Sequence, residues 1–70
     1  MMPLNMSKPG ATCAVTRVQG KDSTRQFLEK LGFVPGEAVQ VISENGGSLI
    51  VNVKNCRVAL SRDMALKIMV

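Results

Sequence analysis

The stretch FLEKLGFVPGEAVQVI, Phe27 to Ile42, starts on helix spacing and finishes on strand spacing, with the change of period at LGFVPG. Gly32 follows the last apolar residue of the helical part, where a left-handed C′ position is cheap only for glycine. Phe33 can then fold back on the helix's last turn. Pro35 pushes Val34 into extended geometry, and Pro35-Gly36 is the usual central pair of a type II turn. Cap, reversal and strand entry are thus compressed into Leu31–Gly36. A helix so tightly joined to a strand must lie against the sheet that strand enters.

Upstream, Thr24, Phe27, Leu28 and Leu31 recur at i, i+3, i+4 and i+7, which predicts a short helix over about 23–31. Asp22 or Ser23 is placed to cap it, and Ser23 with Gln26 fits a capping box. So short a helix does not survive alone and has to dock. Before it, TCAVTRV alternates with Cys13 and Val15 on one parity, and Val18 breaks the register as a bulge or bend near Arg17 would. Residues 1–8 lack periodicity and read as a poorly ordered lead-in ending at the turn pair Pro9-Gly10.

Downstream, the chain reads as strands. Val39 and Val41 share one face of EAVQVIS, and ENGGS is a strong hairpin signal. LIVNV returns with Leu49, Val51 and Val53 on one side, and Lys54-Asn55 permits a second tight turn. CRVAL carries Cys56, Val58 and Leu60 inward, SRDMA forms one helical turn capped by Ser61, and LKIMV closes against the first strand. The expected fold is mainly β: a small, partly open, SH3-like barrel of five strands with one inserted helix. An α+β sandwich is the alternative. Closing the sheet on itself protects its edges.

The 70 residues make one domain whose core is aliphatic, because the chain has two Phe and no Trp or Tyr. No apolar run approaches the roughly 20 residues needed to cross a bilayer. The start, MMPLNMSKPG, lacks the basic and apolar regions of a signal peptide, so a soluble cytoplasmic protein is expected. The net charge of +4 is dispersed along the chain, without a basic tail. With no His, a nucleophile–His pair is impossible, and Asp22, Glu29, Glu37, Glu44 and Asp63 show no paired spacing, so no enzymatic activity is expected. Cys13 and Cys56 read as buried free thiols; as an alternative they form half of a soft-metal site. Gly32 and Gly36 end a helix, whereas phosphate loops begin one.

Three pieces of the chain carry a family resemblance: KPGATCAVTRVQG, RQFLEKLGFVPGEAVQV and VALSRDMALKIMV. The second is similar to the Arg-x-x-Leu-x-x-Leu-Gly-x-x-Pro-Gly core of the ferrous-iron transport protein A (FeoA) family. Arg25, Leu28, Leu31, Gly32, Pro35, Gly36, Leu60, Arg62 and Ala65 match. One departure is a short ENGG hairpin where many members carry a longer loop. The domain also resembles the SH3-like domain of iron-dependent repressors, without their DNA-binding half. The resemblance implies a non-catalytic cytosolic accessory protein that binds and modulates the cytoplasmic region of a FeoB-like membrane transporter, as a monomer or weak oligomer. It further implies partner contacts at Arg25, Lys30, Phe33, Arg57 and Arg62, with Leu28, Leu31, Gly32, Pro35 and Gly36 structural. No cofactor is expected beyond weakly held ferrous iron or another transition metal. Two rivals are metal sensing through Cys13 and Cys56, and nucleic-acid binding, which the absence of Tyr and Trp disfavours.

Overall fold

The computed structural model describes every residue from Met1 to Val70. After a 3₁₀ turn at Leu4–Met6 come β1 (Thr12–Ala14), β2 (Arg17–Val18), α1 (Asp22–Leu31), β3 (Ala38–Asn45), β4 (Ser48–Val53), β5 (Cys56–Ser61), α2 (Arg62–Ala65) and β6 (Ile68–Met69). A four-stranded antiparallel sheet has the order β1-β3-β4-β5, and β2 pairs with β6 in a second, two-stranded sheet. The fold is the mainly-β, one-helix domain that the pattern implies, but with six strands rather than five. The extra strand arises because the first apolar run changes sheets. Val15 exchanges backbone bonds with the Pro35-Gly36 turn, donating to the Glu37 carbonyl at 2.9 Å and accepting from the Gly36 N–H at 2.8 Å. The next N–H, of Thr16, turns to the Met69 carbonyl at 2.8 Å. The bend expected near Arg17 therefore falls at Val15–Thr16.

Helix α1 starts at Asp22, with Lys21 at its N-cap and no side-chain cap. The expected Ser23–Gln26 capping box does not form; instead Arg25 and Asp22 pair across the first turn. The other end is as read. Gly32 has φ 112°, its N–H donates to the Glu29 carbonyl, and Phe33 N–H donates to the Leu28 carbonyl at 3.0 Å. These two bonds are the Schellman arrangement. Gly36 has φ 91° and Glu37 N–H donates to the Val34 carbonyl, which completes the type II turn.

Twelve residues form the core, with Leu28 and Phe33 joining strand valines, Leu49, Leu60, Ala65 and Ile68. Phe27 departs from the expected stripe and is 50% exposed. Neighbouring helix positions lie about 100° apart, so a helix seated on Leu28 turns Phe27 outward. The lead-in is also ordered, contrary to expectation. Leu4 is fully buried, Pro3 bridges to Met69, and Met2 and Val70 exchange both backbone hydrogen bonds. A 3₁₀ turn that plugs a barrel end has no periodic signature.

Both hairpins have two-residue loops with left-handed backbones: φ is 57° and 89° at Gly46 and Gly47, and 50° and 62° at Lys54 and Asn55. This is the type I′ geometry that matches strand twist. A bulge at Ile42 shifts the β3–β4 register between Val41 and Ser43. The final strand does pair back, with β2.

Candidate functional site

The one substantial cleft, of about 320 Å³, opens where three elements meet. The 3₁₀ turn supplies Asn5 and Met6, the β3–β4 hairpin supplies Glu44, Gly47 and Leu49, and α2 supplies Arg62 and Ala65. Its geometry follows from local caps. The Arg62 N–H donates to the Gly47 carbonyl at 3.1 Å, and the Ser61 hydroxyl accepts from the Met64 N–H at 3.3 Å, as its predicted capping role requires. The backbone of Arg62 is thus pinned to the hairpin tip while its side chain stays exposed. Leu49 and Ala65 are buried core residues whose surfaces floor the cleft.

The polar groups in this cleft are complementary in kind. Arg62 offers a planar fork of donors and Glu44 an exposed carboxylate, while Asn5 lines the cleft with its Oδ1 buried and without a hydrogen-bond partner. The cleft lies at the small end of ligand pockets, about 300–1,000 Å³, and its lining has no Ser, Thr, Cys, Lys or His side chain.

The residues singled out in the sequence do not converge. Arg25 and Lys30 are exposed on α1, Arg57 is exposed on β5, and Arg62 alone lines the cleft. Phe33, expected at a partner surface, is fully buried, because the Schellman turn folds it inward beside Leu28. It is a core residue. The structural set holds its place: Leu28 is buried and Leu31 half-buried on α1, Gly32 caps the helix, and Pro35-Gly36 forms the turn.

The cysteines also differ from expectation. Cys56 is exposed and Cys13 half-buried, with Cys13 Sγ 3.5 Å from Ser7 Oγ. They occupy one cross-sheet row, Cys13–Val39–Val53–Cys56, at opposite edges of the four-stranded sheet. Three inter-strand steps amount to about 14 Å along the sheet, too far for one metal ion. No group of three or more Cys, Asp or Glu side chains gathers anywhere in the chain. The paired-cysteine metal site is therefore corrected.

The cleft was only half legible. Arg62 stood out by motif, whereas Asn5 and Met6 lie in the aperiodic start and Glu44 carried only a hairpin signal.

The class that fold and site define is a small, mainly-β, SH3-like domain with one cleft, lined by an arginine, a glutamate and an asparagine beside apolar residues. Residues 2–70 match the FeoA domain family model, and the chain belongs to that family. It is 31% identical over all of its length, and over 85% of the relative's, to a Methanocaldococcus jannaschii protein assigned as Fe(2+) transport protein A. It superposes on a crystal structure of an iron uptake regulatory protein (FeoA) with TM-score 0.90 and 29% identity, covering 97% of this chain and 92% of that one. Stenotrophomonas maltophilia FeoA complexed with zinc, described as a prokaryotic SH3-domain protein, gives TM-score 0.88 and 29% identity over 99% and 88%. No helix is long and apolar enough to cross a membrane.

Proposed function

We propose that this protein is a non-catalytic accessory factor of ferrous iron uptake, acting by docking on the cytoplasmic region of a FeoB-like membrane transporter. The match of residues 2–70 to the FeoA domain carries this reading. Stenotrophomonas maltophilia FeoA is described as a candidate activating factor of bacterial ferrous iron transport, which supports the same role here. The cleft is compatible with it: Arg62 can hold a partner carboxylate or carbonyl, while Glu44 can accept partner N–H groups. The protein works in the cytoplasm and meets the membrane only through its partner.

The test is binding of the purified chain to the isolated cytoplasmic region of the ferrous-iron transporter from the same cell. Saturable binding with a changed rate of nucleotide turnover is expected. No binding at partner concentrations up to about a millimolar would remove the proposal.

A further inference from the structure

We infer that the outer edge of β5 is a docking edge for an extended, acidic segment of a partner protein, which adds to the sheet as a further strand. The argument begins with hydrogen-bond parity. The Lys54-Asn55 loop has two residues, so the pair that closes it, Val53 and Cys56, exchanges both backbone bonds. Alternation then assigns Val58 and Leu60 to bonds with Val51 and Leu49. The intervening residues Arg57, Ala59 and Ser61 turn their N–H and C=O groups away from β4. No strand lies on that side of β5, and no loop or cap bond reaches the N–H and C=O groups of Arg57 and Ala59 or the N–H of Ser61, whose C=O opens helix α2.

Such an edge is ordinarily blunted by a bulge, a proline, a lysine or brevity. β5 has none of these. It is six residues long, in unbroken register with β4 from Cys56 to Ser61, and carries one charge, Arg57. The other free edge, β1, has three residues. Strand addition uses just this kind of row, with main-chain bonds giving affinity and alternate side chains giving selectivity.

Charge selects the occupant. Lys54, Arg57 and Arg62 stand exposed before, on and after β5, and none is in an ion pair; the single salt bridge of the molecule joins Arg25 to Asp22. A glutamate- or aspartate-bearing strand meets these cations, whereas a second copy of this chain, itself at +4, would bring like charges together. The transporter as the source of that strand rests on the accessory reading above; the edge does not.

The test is amide NMR of the ¹⁵N-labelled full chain with a short capped peptide alternating glutamate and valine, and with its lysine counterpart. The acidic peptide is expected to slow hydrogen exchange at Arg57, Ala59 and Ser61 by at least about tenfold, more weakly in high salt, and the lysine peptide is not. Ala59→Pro removes an outward N–H that the fold does not use and is tolerated on an edge strand; it is expected to abolish the effect. Should that variant unfold, Arg57→Glu serves, with the peptide preference expected to reverse. The proposal is overturned if the peptides act alike, if the shifts lie elsewhere, or if the free chain is already a dimer with these amides protected. Repeating the measurement with the transporter's cytoplasmic region separates the two readings. Equal binding by Ala59→Pro and wild type overturns the edge as the docking mode and leaves the accessory role. Peptide binding without transporter binding does the reverse.

Discussion

Phe33 donates its N–H to the carbonyl of Leu28 at 3.0 Å, and both side chains are fully buried, so one backbone bond and two core residues tie the helix to the barrel. Gly32 sits between them at φ 112°, where an added Cβ would lie 3.3 Å from both Val53 Cγ2 and Lys54 Cδ. Gly36 shares the left-handed backbone at φ 91° but has nothing within 4 Å of its would-be Cβ. Gly32→Ala meets both strain and the crowding of a buried strand valine, and is expected to cost about 2–3 kcal/mol; Gly36→Ala meets strain alone, about 1 kcal/mol. Urea unfolding of the two variants measures the difference. Equal losses would show that the helix end is not crowded against β4.

The N-terminal plug gives a second expectation. Leu4 has no exposed surface and comes from a segment whose sequence carries no periodic signal. Leu4→Ala is expected to destabilise by about 2–4 kcal/mol, a large share of the stability of a chain this short. Met1→Ala, at a residue 79% exposed, is expected to change nothing measurable. A Leu4→Ala loss under about 0.5 kcal/mol would place the plug outside the cooperative unit.

Thiol accessibility separates the two cysteines. Cys56 is exposed at the end of β5, while Cys13 is half-buried beside Ser7. A maleimide is expected to modify Cys56 in the native protein well before Cys13, and mass spectrometry of the singly labelled digest locates the first adduct. Simultaneous labelling would mean that β1 opens as readily as the β4–β5 turn.

The sequence made legible what local chemistry controls. Gly32, Pro35 and Gly36 each demanded one backbone geometry, and the structure has it at each. The Gly46-Gly47 and Lys54-Asn55 hairpins and the Ser61 cap followed likewise. Tertiary placement was harder to see. Phe27 fits a helical stripe yet faces outward, because the barrel touches only the narrow sector around Leu28. Cys56 has inward parity, but at a strand end beside a turn no layer covers it. The cleft joins Asn5 to Glu44 and Arg62, three segments distant in sequence, and no spacing rule links them.

The Lys54-Asn55 turn invites stabilisation. Both residues hold left-handed backbones, at φ 50° and 62°, a conformation that costs non-glycine residues free energy. Asn55→Gly supplies the Asn-Gly-like preference of type I′ turns at its second position and is expected to raise stability by about 0.5–1 kcal/mol, read as a higher Tm. Lys54 is the poorer choice, because its Cδ lies over Gly32 and covers the helix end. An unchanged or lower Tm for Asn55→Gly would show that the Asn55 side chain contributes more than its backbone costs.

Arg25 and Arg62, paired by motif, are expected to part in function. Arg25 lies on α1 and already has a partner in Asp22 one helical turn away. Reversing it to Glu places like charges across that turn, and an exposed helix pair of this kind is worth about 0.3–0.5 kcal/mol. Arg62 has no ion-pair partner, and its backbone is held by Gly47 while its guanidinium borders the cleft with Glu44. Arg62→Glu is therefore expected to leave the fold intact and weaken transporter binding by at least about tenfold, equivalent to about 1.4 kcal/mol, with a smaller loss for Arg62→Lys, which keeps the charge but not the fork. Arg25→Glu is expected to bind as wild type with a slightly lower Tm. Titration of all three variants against the transporter's cytoplasmic region decides the matter: if Arg25→Glu is the weak binder and Arg62→Glu is not, the docking face lies on α1 and the cleft is a by-product of the fold.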